Sequence, residues 1–195
     1  MPESFQTFIS KEEINALPMF DYPGTYHVIE TEEAAIAAVG ILAKEKVLGF
    51  DTETRPSFTK GESYRVSLLQ LATEKEAYLF RLNKFRMPKV LVDLLSSKDV
   101  LKAGVGIPDD LNGLKKIVTF TPQGFVDLSL EVKKRGFTSL GLRALTAIFL
   151  KKRLSKAAKV TNWERVDLTD AQLKYAALDA YVGLMIYQTM VKNNF

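Results

Sequence analysis

Between Val47 and Arg81 three apolar runs follow one another with only polar turns between them. They cover residues 47–53, 65–72 and 77–81. Each is short, rich in Val, Leu and Phe, and bounded by charged or turn residues, so each reads as a strand. Downstream the pattern changes to alternation. A helix is predicted over 88–95, a strand over 101–103, a helix over 108–115 and a strand over 125–127. Helices follow over about 130–134, 140–150 and 170–191, and upstream a strand at 26–29 precedes a helix that Thr31 caps, through about Ala43. Consecutive strands followed by strand–helix alternation imply an α/β domain, a mixed central β-sheet flanked by α-helices.

At 195 residues and 47% hydrophobic content the chain suits one domain with a substantial core. No run of about 18 apolar residues is present, so no transmembrane helix is expected. The start of the chain, MPESFQTFISKEE, lacks a basic and apolar leader pattern, and there is no cysteine. Both point to a cytoplasmic home as the expectation. Residues 1–25 read as an N-terminal arm before a domain of 26–195. Ser10 and Glu13 are spaced to cap a short helix over 11–17, and Pro18, Pro23 and Gly24 then break the chain. The arm either packs on the domain or contacts a partner; both readings stand.

Chemistry is concentrated in a few acidic residues. Side chains alternate along a strand, so Asp51 and Glu53 leave the end of VLGFDTET on one face while Thr52 points away. Thr169 and Gln172 form a capping-box pattern at the start of the last helix, where Tyr175 and Asp179 lie one turn apart on one face. Asp110 sits in the first turn of a helix that Pro108 opens, with Asp109 beside it. Taken singly, each has an ordinary reading: a solvated strand end, first-turn acids, a core tyrosine. Taken together, four converging carboxylates make a site for two divalent cations of the kind that cuts phosphodiesters. Oxygen donors suit Mg²⁺ or Mn²⁺, and neither a cysteine nor a histidine cluster is present to favour zinc. Without metal such a group repels itself, so some of its pKa values should rise.

The motifs FDTET followed by VSLLQLAT, KAGVGIPDD, and TNWERVDLTDAQLKYAALDAYVGLMIY resemble those of the DEDD-type 3′–5′ exonucleases of the ribonuclease D and Werner-syndrome exonuclease group. The resemblance runs from about Tyr26 to about Val191. GVGI before the second acid and NW before the third motif are closer to the Werner-type branch. The resemblance implies a ribonuclease H-like fold and a two-metal mechanism. Asp51 would bridge both ions, Glu53 and Asp179 would complete one, Asp110 would support the other, and Tyr175 would orient the attacking water. Tyrosine at this position implies the tyrosine subtype; the one histidine, His27, lies far upstream and is expected at the surface or a strand edge. The GVGI register matches Asp110 to the family acid and leaves Asp109 in a variable position.

Substrate contacts are read more loosely. The Thr52 backbone lies between two ligands and would meet the 3′ terminus. Phe58 either stacks on a terminal base or caps the core. Trp163 either lines the groove or packs inside. Lys159 and Arg165 are placed to reach phosphates. Gln70 reads as a polar position on a half-buried strand, without a role. Net charge is only +4, but basic residues cluster at 133–135 and again at 151–159, a cationic rim or an ordinary solvated face. The expected partner is nucleic acid with a free 3′ end, DNA favoured and RNA open. The competing functions are a non-catalytic nucleic-acid-binding module on the same fold and a phosphodiesterase for very short oligonucleotides.

Overall fold

Six strands form one mixed sheet in the order β1-β4-β3-β2-β5-β6. In this computed structural model, which describes residues 5–59, 61–155 and 161–195, the strands are β1 (Thr25–Ile29), β2 (Val47–Thr54), β3 (Val66–Ala72), β4 (Glu76–Arg81), β5 (Leu101–Gly104) and β6 (Phe125–Asp127). The antiparallel pairs are β2 with β3 and β3 with β4. The parallel pairs are β1 with β4, β2 with β5 and β5 with β6. The consecutive strands of the sequence are thus the antiparallel centre, and the alternating segment supplies the parallel edge.

Alternation along the strands sorts two cores. Leu48, Phe50, Leu69, Leu71, Tyr78 and Phe80 turn to the face covered by α2 (Glu32–Leu42), α3 (Lys89–Leu95) and α4 (Ile107–Lys115). Leu68, Ala72, Ala77 and Leu79 turn to α7 (Asp170–Lys192). Ala103 joins α5 (Leu128–Lys133) and α6 (Leu142–Leu150) against the far end of α7. Every residue of β3 is buried, so the half-buried strand expected around Gln70 is corrected: helices cover this central strand on both sides. The predicted helix at 130–134 begins instead at Leu128. Asp127 ends β6 and caps α5 at once, accepting from the Ser129 and Leu130 amides, so no linker separates them.

Two glycines set the depth of α7. A Cβ at Gly49 of β2 would fall 1.9 Å from the Ala180 carbonyl oxygen, and one at Gly183 would fall 2.8 Å from that of Ala103. The helix therefore rests backbone to backbone on β2 and β5, which no larger residue at these positions permits. Its start is fixed by the predicted capping box of Thr169 and Gln172. The Gln172 amide also donates to Thr161 Oγ1 and the Asn162 carbonyl.

The N-terminal segment lies on the domain. The short helix α1 (Lys11–Ala16) carries the predicted capping box of Ser10 and Glu13. Phe5 packs against Phe149 and Phe195, and Ile9 is buried with them. Arg153 ties down the following residues. Its amide donates to the Pro18 carbonyl at 3.0 Å, its carbonyl accepts from the Phe20 amide at 2.9 Å, and its Nε donates to the Leu17 carbonyl at 2.8 Å. One cation of the expected rim is thus engaged in holding the arm. Among the described residues no helix is long and apolar enough to cross a membrane.

Candidate metal centre

Asp51 and Glu53 leave β2 on the α7 side, and the close seating of α7 brings Asp179 to meet them. Carboxylate oxygens of Asp51, Glu53 and Asp179 lie within 4.8 Å of one another. Asp110 comes from the opposite side of β2. It is half-buried in the first turn of α4, and the Thr52 hydroxyl donates to its Oδ1 at 2.5 Å. Thr52, which alternation turns away from Asp51 and Glu53, therefore links the fourth carboxylate to the strand. Its amide donates to Asp51 Oδ1 at 2.9 Å. Asp109 is exposed.

The electrostatics show the strain expected of gathered acids. Burial, then Asp179, Asp110 and Glu53 in turn, hold the Asp51 carboxyl well above the usual range, partly opposed by the Thr52 amide. Burial pushes Asp110 up to about 6 even though the Thr52 hydroxyl opposes the shift. Tyr175 is raised above an ordinary tyrosine, first by burial and then by Asp179 and Glu53, and it is hydrogen-bonded to Asp179. Beneath it lies Trp163, fully buried, with ring centroids 6.2 Å apart. Of the two readings of Trp163 its complete burial favours packing: it is part of the floor under Tyr175 and not a groove wall. Phe58 is 84% exposed and so does not cap the core. Arg165 is exposed, and its carbonyl accepts from Arg81. Lys159 lies outside the described residues. His27 is on the edge strand β1, 3.1 Å from Glu76.

The Asp51–Glu53–Asp179 cluster opens into a cavity of about 430 Å³ that Tyr175, Ser155 and Arg143 also line. Arg143 escaped the sequence reading. Its Nε is buried and has no hydrogen-bond partner among the described residues. A signal was present: a cation in the first turn of a helix opposes the helix dipole, so something else must favour it there. Gln70 also changes standing. It pairs directly across from Asp51, is fully buried, and neither atom of its amide has a partner among the described residues. Cross-strand partners share a face, so this unsatisfied amide sits beside the most perturbed carboxylate.

A family model described as 3′-5′ exonuclease matches residues 26–193. The chain belongs to the 3′–5′ exonuclease family. Among curated relatives of that family, it is 33% identical to the bifunctional 3′-5′ exonuclease/ATP-dependent helicase WRN of Mus musculus over 89% of this chain and 13% of that protein. It is 32% identical to a 3′-5′ exonuclease of Drosophila melanogaster over 92% of this chain and 56% of that protein. The chain thus spans between about an eighth and somewhat over half of these relatives. In fold, it matches the Nibbler EXO domain of Aedes aegypti at a TM-score of 0.77 and 24% identity, covering 91% of each chain. Escherichia coli RNase D matches at 0.78 and 22% identity, covering 87% of this chain and 45% of that one. The mixed six-stranded sheet is the ribonuclease H-like architecture of these exonuclease domains.

Proposed function

We propose that this protein is a divalent-metal-dependent 3′–5′ exonuclease that removes nucleotides from a free 3′ end and releases nucleoside 5′-monophosphates. The observation that carries this reading is the meeting of Asp51, Glu53 and Asp179 within 4.8 Å in a chain of the exonuclease family. The donors are mutually repelling carboxylate oxygens, half-buried at Asp51 and Glu53 and buried at Asp179, a set that fits Mg²⁺ or Mn²⁺. Asp51 would hold both of two ions, Glu53 and Asp179 one of them, and Asp110 the other. When bound, such ions provide an activated water and offset charge on the phosphodiester. Tyr175 stays protonated, because burial first and then the neighbouring Asp179 and Glu53 suppress its ionisation. It therefore orients a water by hydrogen bonding and does not act as the base. Arg143 offers N–H donors to a phosphate oxygen in the same cavity. The buried Gln70 amide, across the sheet from Asp51, offers a hydrogen-bond donor and acceptor beside the acids. DNA is the favoured substrate on the Werner-like motifs, with RNA as the alternative.

The test uses 5′-labelled single-stranded DNA, 3′-recessed duplex DNA and single-stranded RNA with Mg²⁺, Mn²⁺ or EDTA. A metal-dependent ladder shortening from the 3′ end, absent in Asp51→Ala, is expected. Binding without any ladder would leave a non-catalytic module; a steep preference for dinucleotides would indicate a short-oligonucleotide phosphodiesterase.

A further inference from the structure

A second cavity of about 430 Å³ adjoins the acids on the other side of Tyr175. Tyr175, Asp179, Leu154 and Ser155 line both cavities, so the two form one continuous depression. Its outer wall is the N-terminal arm, which contributes Met19, Phe20 and Tyr22; its inner wall is Leu178 of α7. The aromatic rings are held in place. Phe20 and Tyr22 both meet Tyr181 edge-on, at 6.1 and 5.5 Å between centroids. The wall itself is fixed by the three Arg153 hydrogen bonds that tie residues 17–20 to the segment bearing Leu154 and Ser155. Lys174 also lines the cavity, its ammonium held by Asp170 at 2.9 Å, and Asp21 lies on the opposite, arm side.

An apolar, aromatic, largely preformed recess that opens onto the acids suits a flat heterocycle joined to the phosphodiester they would act on. Met19, 39% exposed, adds a flexible thioether that adapts to different ring shapes. The recess begins where the phosphodiester would be cut, which fixes what can occupy it.

We propose that the arm and α7 form a nucleoside subsite, in which a base and sugar of the substrate strand lie between Met19, Phe20 and Leu178 while the adjoining phosphate lies at the acids. This rests on the nuclease reading above for the identity of the occupant. It makes the arm part of the active site and gives it a task beyond packing.

Binding and hydrolysis together test it. Thymidine and adenosine 5′-monophosphate are titrated calorimetrically into the full chain in Mn²⁺, alongside hydrolysis of a labelled oligonucleotide and of bis(p-nitrophenyl) phosphate, which carries no nucleoside. Phe20→Ala and Met19→Glu should each weaken monophosphate binding about tenfold and raise the oligonucleotide KM about tenfold. The ratio of oligonucleotide to bis(p-nitrophenyl) phosphate efficiency should fall by a similar factor. Glu12→Gln, on the exposed surface of α1, serves as the neutral control. Met19→Glu changes a partly exposed side chain, so it guards against a folding defect in Phe20→Ala, and thermal melts verify both. Equal losses on both substrates, or undiminished monophosphate binding, would overturn the subsite. If the wild type cleaves nothing while the variants still weaken binding, the subsite stands and the nuclease reading falls.

Discussion

The two faces of the sheet handle buried polar groups in opposite ways. On the face covered by α2, α3 and α4, Lys102 is fully buried, and its ammonium donates to the carbonyls of Leu94, Ser97 and Val100. It also lies 4.9 Å from the Phe125 ring centroid. All three N–H donors are used, and the charge closes the C-terminal end of α3. On the α7 face, Gln70, Arg143 Nε and Trp163 Nε1 are buried without partners among the described residues: Gln70 lies across from Asp51, Arg143 lines the acid cavity and Trp163 lies against Tyr175. A buried polar group left unpaired costs about 1–3 kcal/mol. One face is satisfied as folded; the other carries unmet hydrogen-bonding capacity and repelling charge where chemistry is proposed, as stability–function conflicts at active sites often do.

The largest expected effect that sharpens this contrast is at Asp51. Asp51→Asn should lower turnover by at least about 10³-fold, or about 4 kcal/mol in barrier, while the melting temperature in EDTA holds or rises. A melting temperature that falls with activity would mean that the cluster is structural. Lys102→Met should do the reverse. It strands three carbonyls and should destabilise by about 2–4 kcal/mol, leaving turnover per folded molecule intact, as denaturant unfolding beside active-site titration would show.

The pH dependence of stability should also divide by face. Asp110 is raised from 3.8 to about 6, so between these values the folded state binds more protons than the unfolded state. Stability in EDTA should therefore fall as pH rises through this window, and Asp51 adds to the same trend. Lys102 is lowered from 10.5 to about 8 by burial. Between those values the unfolded state binds more protons, so its contribution to stability rises with pH. Melts of Asp110→Asn and Lys102→Met should each flatten one limb; an unchanged limb in its own variant would remove that residue from the account. The smallest effect is at Gln70. Gln70→Leu should raise stability by about 1 kcal/mol, or roughly 2–4 °C, yet lower metal-dependent turnover about tenfold. A variant that is both more stable and fully active would leave the unpaired amide without a purpose.

Much of this was legible in the sequence because local rules sufficed. The capping box at Thr169, the alternation of Asp51 and Glu53, and the one-turn spacing of Tyr175 and Asp179 depend on a few neighbouring residues. So does the order of strands and helices. Residues whose meaning depends on tertiary packing were misread or passed over. Gly49 looked like one more residue of an apolar run, since only the seating of α7 reveals why a side chain is excluded. Trp163 read more safely as core than as groove wall, and the placement of the helix above it bears out packing. Gln70 seemed half-exposed because alternation cannot say that both faces of β3 are covered. Arg143, Met19 and Phe20 all lie far in sequence from the acids beside whose cavities they sit.

Phe5 and Phe195 touch, with ring centroids 5.9 Å apart. Both rings pack on Phe149 of α6. A domain with adjoining ends can be spliced into a longer polypeptide or circularly permuted through a short connector without threading chain across the sheet.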